Sequence, residues 1–320
     1  MRFTPSDEQL AFADAVDDIV ISGGGLSVAR SWAEGDHRPG LKVWRDLAAS
    51  GVLGLRISEE EGGVGASASE LVVVFERLGF HAVPGPYLES AVLLPTLVDA
   101  TLREGIADGS VVATAAVTGT TPFAVDADAS THAFEVSGAS IAAAASDTVL
   151  ESLDPARRLA RLRATAPAMP LDPTVVEAAI AETTLACAAM LVGAGERLLA
   201  EAVAYAKVRE QFGRAIGEYQ AVKHALADVR IALSFARPLV YGAALDLGTS
   251  TTARSVSAAK LAAGQAALKA AGTALQVHGA IGYTAEHDLG LVLLRVRALA
   301  GVWGTASDHR AVIARAILAS

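Results

Sequence analysis

Proline is confined almost entirely to the first half of the chain, and this distribution limits the fold more than any other feature. Ten of the eleven prolines lie at or before Pro173, which leaves Pro238 alone in the rest of the chain. Because proline breaks helix interiors, its scarcity permits long helices there. The sequence predicts helices over about 173–210, 218–247, 252–277, 285–300 and 305–319, and antiparallel packing of such helices makes a four-helix bundle.

The part of the chain before Pro173 has two different patterns. Residues 1–108 carry helical patterns separated by turn signals, and Ser6 precedes acidic residues in the order that caps a helix. Residues 109–170 contain short β-branched or alternating stretches such as VVAT, FEVSG and DTVLE. We therefore expect a mainly α protein with a small β domain: an N-terminal helical domain at 1–108, a middle β domain at 109–170 and a helical bundle at 171–320.

Composition limits the partners and the compartment. Hydrophobic residues make up 52% of the chain and aromatic residues only 5%, which favours closely packed helices. A net charge of -9 argues against nucleic acid or an anionic membrane as a partner. The N-terminal stretch is acidic where a signal peptide is apolar, and we expect no apolar run near the ~18 residues of a membrane span. These features predict a cytoplasmic protein, and Cys187, the only cysteine, is expected to be buried.

The run from Arg209 to Gln220, REQFGRAIGEYQ, is unusual within an alanine-rich helical region. An arginine fork can clamp a diphosphate, carboxamides can hydrogen-bond an adenine or ribose edge, and an aromatic ring can cover a flat heterocycle. The run therefore predicts half of a dinucleotide site. It resembles an element of the acyl-CoA dehydrogenases, in which an Arg-x-Gln-Phe-Gly motif is followed by a glutamine seven residues after the glycine. Arg209, Gln211, Phe212, Gly213 and Gln220 match it.

A second run, QVHGAIGY from Gln276, is similar to another element of this family. There the glutamine and the glycine backbone approach the flavin diphosphate, since only a chain without Cβ brings backbone N–H groups that close. Gln276, His278 and Gly279 match the family pattern, while Ala280 replaces a glycine. The resemblance implies FAD as cofactor. Neither His278 nor the pair of His287 and Asp288 has the spacing of a known metal site, and we expect no metal.

The resemblance also exposes what this chain lacks. The middle domain is shorter than the family's, and neither the threonine-glutamate-proline loop nor the tryptophan-bearing strand that surrounds the flavin ring is evident. The family's usual base is a glutamate in a turn after the last short helix, and Trp303 stands in its place. Some members place the glutamate in the first bundle helix, at the position of Thr183. Glu182 is the neighbouring carboxylate and a candidate base; the alternative is a solvated first-turn carboxylate.

Three functions follow from the resemblance. In the family, the adenine half of each flavin is contacted by the neighbouring subunit, so a chain that keeps only those elements suits a heteromer. The leading hypothesis is a short subunit similar to those of the α2β2 enzymes that oxidise steroid side-chain CoA thioesters, assembled with a homologous catalytic subunit. The alternatives are a self-sufficient homo-oligomeric acyl-CoA dehydrogenase that uses Glu182, and a scaffold that binds neither flavin nor substrate. Electron-transfer flavoprotein and oxygen both remain open as electron acceptors.

Overall fold

A computed structural model of the chain describes residues 5–284 and 287–318. Helices occupy both ends of the chain and a sheet lies between them, which confirms the mainly α fold with a small β portion. The three-domain division at the bounds given above remains a prediction. The helices are α1 (Asp7–Ser22), α2 (Leu26–Ala33), α3 (Arg38–Ala49), α4 (Ala68–Phe80), α5 (Ala100–Ala107), α6 (Pro173–Val208), α7 (Gln220–Leu245), α8 (Thr252–His278), α9 (Leu289–Gly301) and α10 (Ala306–Leu318).

Local sequence signals explain where the first helices begin. The Ser6 side chain accepts a hydrogen bond from the Gln9 backbone while the Gln9 side chain accepts one from the Ser6 backbone, so the predicted cap at Ser6 is confirmed as a capping box. Ser67 and Glu70 make the same pair of bonds at the start of α4. Such caps satisfy backbone N–H groups that have no partner inside the helix.

The six strands of the central sheet are short, apart from one. They are β1 (Ala113–Val117), β2 (Ala124–Val125), β3 (His132–Val136), β4 (Ser140–Leu150), β5 (Leu159–Ala164) and β6 (Met169–Pro170). Their order is β1-β3-β4-β5-β2 with β6 paired to β4, and β1 and β3 run parallel while the other pairs are antiparallel. β5 was not predicted from the sequence, because its arginines interrupt the alternation of apolar and polar residues that indicates a strand.

The 36-residue helix α6 forms the centre of the molecule. Residues 183–195 are buried without interruption, because α4, α7, α8 and α9 all pack against this helix. Gly79 of α4 and Gly193 of α6 lie where the two backbones meet, since a Cβ at Gly193 would stand 1.8 Å from the Glu76 carbonyl oxygen. Gly193 is thus a helix-packing glycine.

One expectation about α6 was wrong. By length and composition it is apolar enough to cross a membrane, although no run of that kind was expected, and 67% of its apolar window is buried inside the protein. This burial is typical of a core helix. Cys187 is buried in it, as expected.

Candidate functional site

A β-hairpin separates α6 from α7 and carries the first sequence motif. Its strands are β7 (Glu210–Gln211) and β8 (Arg214–Ala215). The two residues between them, Phe212 and Gly213, have φ of +54° and +80°, the values of the mirror-image turn that matches the twist of a hairpin. A phenylalanine rarely adopts this conformation, and its side chain is 93% exposed. The turn therefore holds an aromatic ring out in solvent.

A cavity of about 400 Å³ joins the two sequence motifs. Gln211 and Phe212 line one side and Gln276 lines another, so helix packing brings together residues more than sixty positions apart in the chain. Apolar side chains of α7 and α8 complete the walls. Its lining is Gln211, Phe212, Ile216, Tyr219, Ala221, Val222, Ala225, Thr273, Gln276 and Val277.

Three other residues predicted to bind the cofactor, Arg209, Gln220 and Gly279, are close in sequence to the lining residues but do not line the cavity. Arg209 follows the last residue of α6 in extended conformation and is exposed, as is Gln220 at the first position of α7. Gly279 follows α8 with φ of +63°, and no atom would obstruct a Cβ there, so its requirement for glycine is conformational.

His278 is turned towards the protein interior. Its ring stacks on Tyr205 with 4.4 Å between centroids, and Nδ1 lies 2.8 Å from the Ala274 carbonyl oxygen. Burial lowers the pKa of His278. Within the described residues, no group of three His, Cys, Asp or Glu side chains is arranged to hold a metal ion.

Two residues of the cavity region were missed in the sequence analysis. The Tyr219 hydroxyl donates a hydrogen bond to the Gln211 carbonyl oxygen at 3.1 Å, and the Arg214 guanidinium lies 4.0 Å from the centroid of the Tyr219 ring. The Phe212-Gly213 dipeptide was an available signal, because a two-residue turn there predicts that Gln211 pairs with Arg214.

The environment of Glu182 differs from the solvated first-turn position that was the alternative to a catalytic base. Glu182 lies in the third turn of α6 rather than the first, and its carboxylate pairs with Arg56 at only 15% side-chain exposure, so it is neither a first-turn residue nor solvated. The pair lines a second cavity of about 660 Å³ beside the loop between α7 and α8. Thr183 is fully buried and its hydroxyl donates to the Ala179 carbonyl oxygen at 2.7 Å.

The turn between α9 and α10 holds Trp303 in the core. Its side chain is 1% exposed, its φ is +55°, and its carbonyl oxygen lies 3.1 Å from Nε2 of His309. Asp308, five positions after Trp303, accepts hydrogen bonds from the Thr305 backbone N–H at 2.9 Å and from the Thr305 hydroxyl at 2.7 Å, which completes the cap at the start of α10. Neither an indole nor a capping carboxylate is placed here to take a proton from a substrate.

Side chains fill most of the space around Leu299, which lies one helical turn before Trp303. A cavity of only about 10 Å³, room for one water molecule, remains between Tyr87, Glu89, Arg157 and Leu299. Burial raises the pKa of Glu89, which is 2% exposed. This cavity is too small for an acyl chain or a flavin ring.

Comparison with known proteins places these features in context. The family model for the acyl-CoA dehydrogenase N-terminal domain matches residues 6–98, and the model for the C-terminal domain of the same family matches residues 173–318. The chain is 32% identical over 302 residues to acyl-CoA dehydrogenase IpdE2 of Mycobacterium tuberculosis, across 91% of this chain and 92% of that protein.

Solved structures share the fold at lower sequence identity. A variant of the Tcur3481-Tcur3483 steroid ACAD superposes with a TM-score of 0.85 at 23% identity, covering 98% of both chains. The ChsE4-ChsE5 complex from Mycobacterium tuberculosis superposes with a TM-score of 0.84 at 23% identity, covering 100% of both chains. The fold of these proteins is therefore the fold of this chain.

Proposed function

The chain belongs to the acyl-CoA dehydrogenase family, oxidoreductases that act on CH–CH groups, and on this premise we propose that it is the subunit without the usual base in a heteromeric FAD-dependent enzyme. The observation that carries the proposal is that the chain has a cavity suited to the cofactor but no carboxylate at the expected position of the base. The 400 Å³ cavity is lined by Gln211, Phe212 and Gln276, whereas Trp303, which the sequence resemblance aligns with the family's base, is buried.

The residues around the cavity fit the adenine diphosphate half of FAD. Arg209 is exposed beside it to clamp a diphosphate, Gln211 and Gln276 offer amides to an adenine or ribose edge, and Phe212 offers a ring face. When bound, FAD supplies the hydride acceptor for α,β-dehydrogenation. The small cavity lined by Leu299 is too small for the flavin ring, and the buried indole of Trp303 is not a base, so this proposal assigns the ring and the catalytic base to the partner subunit.

The exposed Phe212 supports a partner across this surface. An aromatic side chain held in solvent by a strained turn gains its stabilisation only when another surface covers it. The solved ChsE4-ChsE5 complex shares this fold, and we propose a homologous subunit in an α2β2 arrangement here. For the substrate, we propose a CoA thioester with a bulky steroid side chain, in accord with the steroid ACAD of the same fold, and for the compartment the cytoplasm.

Purification with and without the partner tests this proposal. We expect the chain alone to be colourless, and the complex with a homologous subunit encoded beside it to show a flavin absorbance band that a steroid side-chain acyl-CoA bleaches. Arg209→Ala should remove flavin from the complex because the diphosphate loses a charge-assisted contact, whereas Lys207→Ala, an exposed cation in the last turn of α6, should not. A lone chain that is flavin-loaded and active would refute the heteromer.

A self-sufficient enzyme remains the second candidate, because Glu182 lines the large cavity of about 660 Å³. It requires Glu182 to leave Arg56 and reach an acyl-CoA. A scaffold without cofactor is the third candidate, and a flavin band that co-purifies with the complex and disappears with Arg209→Ala excludes it.

A further inference from the structure

The register of the hairpin places four side chains on one face. Gln211 pairs with Arg214, and the Ile216 N–H donates to the Arg209 carbonyl oxygen at 2.8 Å, which continues the ladder by one more pair. Cross-strand partners share a face of a sheet, and so do residues two apart on one strand. Arg209, Gln211, Arg214 and Ile216 therefore lie on the same face.

This face is turned towards the 400 Å³ cavity, because Gln211 and Ile216 both line it. Arg209 and Arg214 are diagonal neighbours on that face, a relation that separates Cα atoms by roughly 7–8 Å and leaves long side chains within reach of one another. The two arginines thus flank Gln211, which lines the cavity, on one face of the hairpin.

Tyr219 fixes one of these guanidinium groups. The Arg214 guanidinium lies 4.0 Å above the Tyr219 ring, and the hydroxyl of the same tyrosine holds the carbonyl of Gln211, the cross-strand partner of Arg214. A guanidinium that packs over the face of an aromatic ring can still direct N–H groups at an anion. Tyr219 also lines the cavity, so the guanidinium packs against a ring that forms part of the cavity wall.

Charge on the hairpin is not neutralised locally. Elsewhere in the fold arginines pair with carboxylates, as Arg230 does with Glu196 at 2.8 Å. Among residues 5–284 and 287–318, neither Arg209 nor Arg214 forms an ion pair with an Asp or Glu side chain. Glu210 is the carboxylate of the same hairpin, and its pairing with Ala215 places it on the opposite face. Two cations without an ion pair on the face towards the cavity favour a ligand with two negative charges.

We propose that Arg214 is a second cation of the diphosphate clamp and that Tyr219 is its positioning residue. The inference rests on the proposed function, because it names a further contact to the same dinucleotide. The two arginines grip the diphosphate from the two strands of the hairpin, with Gln211 between them.

Titration of the flavin-depleted complex with FAD, ADP and adenosine tests the clamp. We expect Arg214→Met to weaken FAD and ADP by on the order of tenfold to a hundredfold, the range for one hydrogen-bonded charge, and to leave adenosine unchanged. Arg214→Lys should recover much of the ADP affinity. Lys223→Met removes one positive charge from the exposed surface of α7, and it should leave the affinities for FAD, ADP and adenosine unchanged.

The tyrosine is tested in the same assay. Tyr219→Leu removes the platform and should weaken ADP more than adenosine, whereas Tyr219→Phe keeps the ring and should lose less affinity. Unchanged ADP binding by Arg214→Met would overturn the clamp while the proposed function stands. If the wild-type complex binds no FAD, the proposed function falls and the clamp falls with it.

Discussion

At the scale of single residues, the contact of Glu182 matters more than its position in sequence. The carboxylate was singled out as a candidate base because it lies next to the position of Thr183. The structure pairs it with Arg56, a residue 126 positions earlier in the chain. No pattern in one sequence reveals a contact of this range, because it depends on how the loop after α3 packs against α6.

Substitution of Glu182 separates its two roles. Glu182→Gln leaves the partly buried Arg56 without its charged partner, and we expect the free energy of unfolding to fall by about 1–2 kcal/mol. The proposed heteromer takes its base from the partner subunit, so bleaching of the flavin by an acyl-CoA should be unchanged. Urea unfolding and anaerobic bleaching measure the two effects.

Glu177→Gln is the control for that substitution, since Glu177 is exposed in the same cavity. It should change neither quantity. Bleaching that is abolished by Glu182→Gln but not by Glu177→Gln would instead support the self-sufficient enzyme.

Cavity residues whose side chains are chemically unusual for their surroundings could be identified from sequence. Residues whose importance depends on their position relative to one another could not. Gln211, Phe212 and Gln276 stood out because amides and an aromatic are unusual among alanines, and the structure brings them to one cavity. Tyr219 and Arg214 were overlooked, because their relation depends on a hairpin register rather than on either residue type. The assignment of cofactor contacts to these residues remains a prediction.

At the scale of secondary structure, the helices of the second half were predicted to within a few residues. Proline scarcity and apolar periodicity are local properties, and they set where α6, α7 and α8 begin and end. The strands were less well predicted, because their pairing is non-local and β5 carries exposed arginines. Ion pairs between helices were not predictable at all.

One such network joins three helices. The Arg237 Nε of α7 donates to Glu76 of α4 at 2.9 Å, and its Nη2 lies 3.1 Å from Glu196 of α6. The two carboxylate side chains are only 12% and 13% exposed. Loss of the arginine therefore leaves two nearly buried charges, one of them still paired with Arg230.

We expect Arg237→Met to lower the free energy of unfolding by about 2–3 kcal/mol, because charges left without a partner in a buried position are costly. Arg230→Met removes an arginine that is 54% exposed, and its cost should stay below about 1 kcal/mol. Urea denaturation of both variants measures the difference, and equal costs would show that burial does not set the strength of this network.

At the scale of the whole molecule, one fully buried carboxyl group lies where the residue after β2 meets the residue before β5. Asp126 follows β2 with φ of +52° and no solvent exposure, and its carboxylate accepts a 2.9 Å hydrogen bond from the Arg158 backbone. Burial raises the pKa of Asp126 from 3.8 to about 7. This carboxyl group makes the stability of the folded protein depend on pH.

The direction of that dependence follows from the two protonation states. Below about pH 4 the carboxyl is protonated in the folded and the unfolded chain alike, so its contribution to stability is fully present. As the pH rises towards about 7, the unfolded chain ionises first and the free energy of unfolding falls, by up to about 1.4 kcal/mol per pH unit. Above about pH 7 the loss is complete.

Asp126→Asn should remove this slope. Asparagine cannot ionise, tolerates positive φ and keeps an acceptor for the Arg158 N–H. We expect the variant to be more stable than the wild type at pH 8 by up to a few kcal/mol, and the advantage to shrink towards pH 4. Urea unfolding between pH 4 and pH 8 measures it, and identical slopes would contradict a raised pKa at Asp126.

The exposed ring of Phe212 also has a consequence for copies of the chain that are made without a partner. In the proposed heteromer, a copy made in excess of its partner would leave this aromatic side chain uncovered. Chaperones and proteases that act on such surfaces would then remove surplus copies. Balanced synthesis of the two subunits, as from one shared transcript, would keep that surface covered from the moment of assembly.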